Sequence, residues 1–177
     1  MSKRSKVTTR NSQRGFTLME IMITVGIIAV LAAIAVPVFS RETKKAKGSS
    51  EVAGMFGELG IRQDQYKLEN GAYLSAAACP ATSVAAGQDA SGCIAAGQPW
   101  ASMRVRLPTT RLMCSYQMEA GTGTTGASAP SGFAFSPPAG AWYFIVATCN
   151  MDGDNSVNAT YFISSVDSKM QSQNEGR

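Results

Sequence analysis

Glu20 is a carboxylate placed directly before a charge-free apolar run of nineteen residues, Ile21 to Phe39. Its chemistry is that of an acceptor for a cation, because an ionised group at the mouth of an oily helix is costly until something positive meets it. Four cysteines, Cys79, Cys93, Cys114 and Cys149, all lie beyond that run. An even set of thiols outside a reducing compartment closes two disulfides, with three possible connectivities. The favoured pairing is Cys79–Cys93, closing a loop, with Cys114–Cys149 tying strands. Zinc is the poorer reading, since the chain has no C-x-x-C pair and no histidine. The lack of histidine also removes the side chain best suited to proton transfer near neutral pH. Asn150, Asp152 and Asp154 alternate as oxygen ligands do at the opening of a calcium loop. However, Asn155 stands where glycine belongs, and Tyr161 where the closing glutamate would be. Asp152-Gly153 between two strand-like runs is therefore read as an ordinary turn, and these three residues remain weak metal candidates.

The elements that must position Glu20 are set by the pattern around it. Nineteen apolar residues at about 1.5 Å each nearly match the ~30 Å of a hydrocarbon core. The net charge of +4 is unevenly spread, and its distribution matters more than its sum. Lys3, Arg4, Lys6, Arg10 and Arg14 precede Gly15 with no acid among them. Arg41, Lys44, Lys45 and Lys47, against Glu42 alone, come just after the apolar run. From Glu51 onward there are seven Lys/Arg against ten Asp/Glu, a net of −3. Both basic clusters flank the apolar segment, where they suit anionic headgroups, and no basic stripe is left for nucleic acid. Binding of DNA or RNA by the head is not expected. The N-terminal cluster favours a cytoplasmic start under the positive-inside tendency, while the second cluster competes with it. The cysteines place the C-terminal body outside.

Three readings of the N-terminus compete. One is an ordinary secretory signal cut after Ala33-Ile34-Ala35, and another is a plain single-pass anchor. Both leave Glu20 as an accident at a costly place. The third rests on the order Gly15-Phe16-Thr17-Leu18-Met19-Glu20-Ile21-Met22-Ile23, with Pro37 further on. This stretch resembles the class III signal of type IV prepilins and the related pseudopilins. The resemblance covers about Arg14 to Phe39 and implies cleavage between Gly15 and Phe16 on the cytoplasmic side. It also implies N-methylation of the new terminus at Phe16, and neutralisation of a neighbouring subunit's terminal amine by Glu20. Independently, an amine and a carboxylate within an apolar bundle are each poorly solvated, so pairing them stabilises both. Pro37 removes one helical hydrogen bond and bends the axis. The family resemblance adds a hinge role in the filament to that plain kink.

The expected fold class is α+β: a long N-terminal helix, part transmembrane and part amphipathic, packed on a small antiparallel sheet of about four strands. Residues 1–15 form the cleaved leader, 16–39 the hydrophobic assembly half of the helix, and 40–70 its amphipathic half. Residues 71–177 form the globular head, with a variable loop at 71–101, the sheet at 102–164 and a polar tail at 165–177 that frays. In the amphipathic half, Val52, Met55, Phe56, Leu59 and Tyr66 recur at helical spacing. Gly48, Gly54, Gly57 and Gly60 weaken that helix unless tertiary contacts hold it or neighbouring helices approach closely. Asn70-Gly71 ends it. Met103, Val105 and Leu107 alternate with Arg104 and Arg106 as a strand does, and so do Leu112, Cys114, Tyr116 and Met118, making a hairpin across Pro108 to Arg111. Glu119 to Gly140 reads as a long surface loop. Trp142 to Cys149 reads as a central strand and Ala159 to Ser164 as another.

No catalytic set assembles and no cofactor is implied: histidine and a phosphate loop with its lysine are both missing, so the protein is not expected to be an enzyme. The resemblance implies a structural subunit, a major or minor type IV pilin. Prepilin peptidase would process it, and the protein would wait in the inner membrane with its N-terminus cytoplasmic. The pilus assembly platform would then draw it into a surface filament of pilin subunits joined through helix 1, serving adhesion, motility or uptake. The alternatives are a type II secretion pseudopilin and, in a different class, a secreted enzyme or binding domain behind an ordinary signal peptide.

Overall fold

In the computed structural model the described residues are 15–124, 126, 128–153 and 156–176. The chain divides into two units between Phe39 and Ser40. One helix, α1, runs Leu18–Asn70 with Pro37 inside it. Among the described residues seven strands come after it: β1 Ala76–Cys79, β2 Gln88–Asp89, β3 Arg111–Leu112, β4 Cys114–Thr122, β5 Ala141–Cys149, β6 Ala159–Ser164 and β7 Gln171–Gln173. A short helix, α2, spans Pro99–Ser102. The main sheet is antiparallel in the order β1-β4-β5-β6-β7, and β2 pairs with β3 in a separate ribbon. The α+β architecture expected from the sequence holds, with five main-sheet strands rather than four.

Within the second unit, the helical stripe packs where its spacing directs it. Val52, Met55, Phe56 and Leu59 are buried against Tyr116, Met118, Tyr143, Ile145 and Tyr161. Two polar side chains of α1 then fix the helix to β4 and to the approach to β1. Glu51 accepts hydrogen bonds from the amides of Met113 (2.9 Å) and Cys114 (2.9 Å) and from the Tyr116 hydroxyl (3.0 Å). Gln63, fully buried, donates to the Leu74 carbonyl at 2.6 Å and accepts from the Leu74 amide at 2.9 Å. That pair returns the chain into β1 after the helix stops. Gly71, at φ +80°, donates to the Lys67 carbonyl and supplies the left-handed residue a helix C-terminus favours. Two disulfides close, Cys79 to Cys93 and Cys114 to Cys149, with Cα separations of 5.8 Å and 4.3 Å. The second joins directly opposed residues of β4 and β5 in the buried core.

The expected strand over Met103 to Leu107 does not form. Its alternation is real, since Met103 and Val105 are buried, but among the described residues it pairs with no strand. The Arg106 amide donates instead to Glu58 of α1 at 2.8 Å, so the segment lies on the helix as irregular chain. Pro99 and Trp100 start α2 just before it, and Trp100 is buried. The expected hairpin across Pro108 to Arg111 is lost with that strand.

The tail also departs from expectation. Gln171–Gln173 adds β7 to the edge of β6, and Glu175 reaches Lys45 at 2.7 Å. Backbone pairing at a sheet edge needs no apolar side chains, which is why a polar tail can be ordered.

The stretch Glu119 to Gly140, expected as a surface loop, is loop only from Gly123, and two of its side chains are half-buried against the sheet. β4 runs on to Thr122, and Phe133 and Phe135 turn inward onto Trp142, Phe144 and Phe162. Phe133 stacks on Phe162 at 5.3 Å, and Phe135 meets Trp142 edge-on at 5.4 Å. Alternation in β5 sends Tyr143, Ile145 and Ala147 toward α1 and Trp142, Phe144 and Val146 the other way. The sheet is therefore buried on both faces around Trp142, Phe144 and Phe162, whereas Gln117 on the same face of β4 stays exposed. Gly121 is required by this packing, since a Cβ there would sit 2.5 Å from the Trp142 ring.

The buried tyrosines predict an alkaline limit to the head. Burial, with Asp64 and Tyr73 adding to it, pushes the Tyr143 hydroxyl up to about 12 from an ordinary value of 10.0. Burial and then the Glu51 charge push Tyr116 up as well. The folded state thus holds these protons more tightly than the unfolded chain. That stability is complete below pH 10 and is lost as the pH rises toward the folded values. Urea titrations at stepped alkaline pH should show stability falling above pH 10, with tyrosinate absorbance appearing later than in the denatured chain.

Candidate functional site

The first described residues, 15–17, are irregular, and α1 begins at Leu18. Gly15 is exposed with open space where a Cβ would sit, and Phe16 is 79 % exposed. The backbone between them lies open. Residues 1–14, expected as part of the leader, lie outside the described residues.

Thr17 caps α1: its hydroxyl accepts the Glu20 amide at 3.2 Å, and its carbonyl accepts the Ile21 amide at 3.2 Å. Thr17-Leu18-Met19-Glu20 has the Thr-x-x-Glu spacing of a capping box. Glu20 therefore sits in the first turn, where a carboxylate also complements the positive end of the helix dipole. The spacing carries the signal for this local role, which the cost of the charge alone does not reveal. Glu20 is exposed, and no cation among the described residues meets it. Cleavage between Gly15 and Phe16 would create a positive amine four residues before it.

Every large apolar side chain from Phe16 to Phe39 is exposed, from Ile21 at 48 % to Phe16 and Leu18 at 79 %. By length and composition this part of α1 is apolar enough to cross a membrane. Such a surface needs lipid or other apolar helices to cover it. Pro37 lies inside the uninterrupted helix, so its missing amide bond does not break α1.

The remaining candidates lie in the second unit. Asn150 is buried, and its side-chain oxygen accepts the Gly153 amide at 2.8 Å, which forms a turn. That turn belongs to a nine-residue connection, since Cys149 pairs with Ala159. Asp152 is exposed in the same connection, and Asp154 lies outside the described residues. Among the described residues no three Asp, Glu, Cys or His side chains gather as metal ligands.

Comparison with known proteins places these features. The family described as the prokaryotic N-terminal methylation motif matches residues 10–36. The chain is 41 % identical to the type II secretion system core protein G of Klebsiella michiganensis over 64 residues, covering 36 % of this chain and 44 % of that protein. It is 41 % identical to the core protein G of Pseudomonas aeruginosa over 66 residues, 37 % of this chain and 46 % of that one. Over 36 residues it is 50 % identical to the prepilin peptidase-dependent protein D of Escherichia coli K12, covering 20 % of this chain and 25 % of the relative. The chain thus spans less than half the length of the curated relatives it matches. No solved structure matches. The resemblance to the prepilin-type proteins holds over the methylation motif, and the apolar helix and disulfides fit that pilin-like class.

Proposed function

We propose that this chain is a membrane-anchored structural subunit of the pseudopilin kind, working within a type II secretion machine. The observation that carries this reading is the 41 % identity to core protein G over 64–66 residues, more than twice the length of the methylation motif at 10–36. This reverses the order expected from the sequence, where a type IV pilin came first. The pilin remains the second reading, favoured by the two disulfides of the head.

In either case prepilin peptidase cuts between Gly15 and Phe16 and the new terminus is methylated, a step supported by the similarity to a prepilin peptidase-dependent protein. The subunit then rests in the inner membrane with its N-terminus cytoplasmic and its disulfide-bonded head outside. An assembly platform draws it into a filament of related subunits, where the apolar surface of residues 16–39 is covered by neighbouring helices. Repeated head-to-tail contacts that do not close give such a fibre. Glu20 takes the amine of a neighbour's Phe16, and the head has no catalytic role.

Two measurements test this. N-terminal sequencing of the mature protein should begin at Phe16; a start just past Ala35 would replace the filament reading with a freely exported domain. Deleting the gene should abolish protein export while leaving surface fibres and motility intact. The opposite phenotype would make the chain a type IV pilin.

A further inference from the structure

Ser115 of β4 and Thr148 of β5 stand opposite each other in the sheet. Their neighbours Cys114 and Cys149 point into the core with the α1 stripe, so alternation turns these two hydroxyls to the other face. That face is aromatic around Trp142 and polar at this end. The Ser115 hydroxyl donates to the Pro80 carbonyl at 2.5 Å and holds the chain that follows β1 against the sheet. Thr82 donates to the Gln88 side chain at 2.6 Å, which fixes the same segment a second time. A cavity of about 310 Å³ is bounded by this segment, by Ser115 and Thr148, and by Asn158 just before β6.

Its volume is at the lower end of the roughly 300–1,000 Å³ typical of ligand pockets. None of its lining residues is charged, and its apolar lining is only the methyls of Ala78 and Ala81, so neither an ion nor an oily ligand suits it. The hydrogen-bonding groups are specific in what they lack. Ser115 and Thr82 commit their protons to Pro80 and Gln88 and keep lone pairs that can accept. Among the described residues the Ser83 and Thr148 hydroxyls make no hydrogen bond, and the buried side-chain oxygen of Asn158 has no donor. A hydroxyl both donates and accepts, so a ligand built of hydroxyls on a short carbon ring meets all of these groups, with its C–H bonds against the two alanines. A peptide bound through its backbone needs an open strand edge. Here β4 lies between β1 and β5, and β5 between β4 and β6, so the cavity offers side chains only.

We propose that this cavity binds one neutral sugar ring, with Ser83, Thr148 and Asn158 taking its hydroxyls. The wall that carries Ser83 is held in place by the Pro80 and Gln88 hydrogen bonds before any ligand arrives. Every residue of the site belongs to the head, so the site stands whether or not the pseudopilin reading does.

Saturation-transfer NMR tests this on the full chain in a polyoxyethylene detergent, whose headgroup carries no sugar. The probes are glucose, N-acetylglucosamine and cellobiose. At least one of them should receive saturation at its ring C–H protons. Thr148→Val and Ser83→Ala each delete one hydroxyl without a protein partner, so each should weaken that sugar about fivefold and leave the thermal midpoint of the head unchanged. A tighter hold on cellobiose than on glucose supports the site as one for the end of a sugar chain, and an equal hold supports it as one for free sugar. No transfer to any of the three probes overturns the proposal, as does unaltered binding by both variants. Displacement of the sugar by an equal concentration of triglycine amide would make this a peptide site and overturn the sugar assignment.

Discussion

Glu51→Ala is expected to lower the stability of the head by about 3 kcal/mol, since hydrogen bonds to a charged group contribute roughly 1.5–3 kcal/mol each and do not simply add. One carboxylate on α1 accepts from two successive amides at the start of β4 and from the buried Tyr116 hydroxyl. Removing it leaves three donors unpaired in a place only partly open to water. Glu51→Gln keeps one acceptor oxygen but puts an amide where a second stood, so a loss of about 1 kcal/mol is expected. Urea unfolding followed by tryptophan fluorescence reads both, through a lower midpoint at unchanged slope. A loss below about 1 kcal/mol for the alanine variant would mean that water replaces the carboxylate and that the helix is held by apolar packing alone.

Glu20→Ala is expected to leave cleavage at Gly15 and the stability of the head unchanged while reducing filament assembly at least a hundredfold. An ion left without its partner in an apolar bundle costs roughly 3–5 kcal/mol, which corresponds to that factor or more at each contact. The structure allows a sharper form of this test. Glu20 also stands at the acidic position of the Thr-x-x-Glu spacing that Thr17 opens, and glutamine suits that position as well as glutamate does. If capping were the whole role, Glu20→Gln would assemble normally. If the carboxylate meets a neighbour's amine, Glu20→Gln should fail nearly as badly as alanine. Crosslinking of subunits in membranes, scored against processed monomer, distinguishes the two outcomes.

Where burial keeps to a local period, the fold was legible in the sequence. Val52, Met55, Phe56 and Leu59 mark the buried stripe of α1 without further information, and β5 and β6 show in their aromatic and β-branched runs. What the sequence hid depends on partners distant in the chain. Met103 to Leu107 alternates because it lies on a helix, and nothing local distinguishes that from a place in a sheet. β1 is three alanines and a cysteine, and β7 is three polar residues; both are edge strands recruited by an exposed backbone, which carries no side-chain signature. The second aromatic layer had one overlooked signal, Phe133 and Phe135 two residues apart in an otherwise Gly/Ser/Pro-rich stretch. In the candidate site, the price of a charge beside an apolar run identified Glu20, whereas its place opposite Thr17 had to be seen in the helix start.

The second aromatic layer around Trp142, Phe144 and Phe162 limits how this part of the surface can diversify. A decorative loop can change freely when only its ends are fixed, but the segment between β4 and β5 contributes Phe133 and Phe135 to the packing beneath it and must leave room for an indole at Gly126, as β4 does at Gly121. Neutral drift there is confined to the positions other than those anchors. Substitutions at the anchors themselves would register first as lost yield of folded protein, well before any altered recognition could be scored.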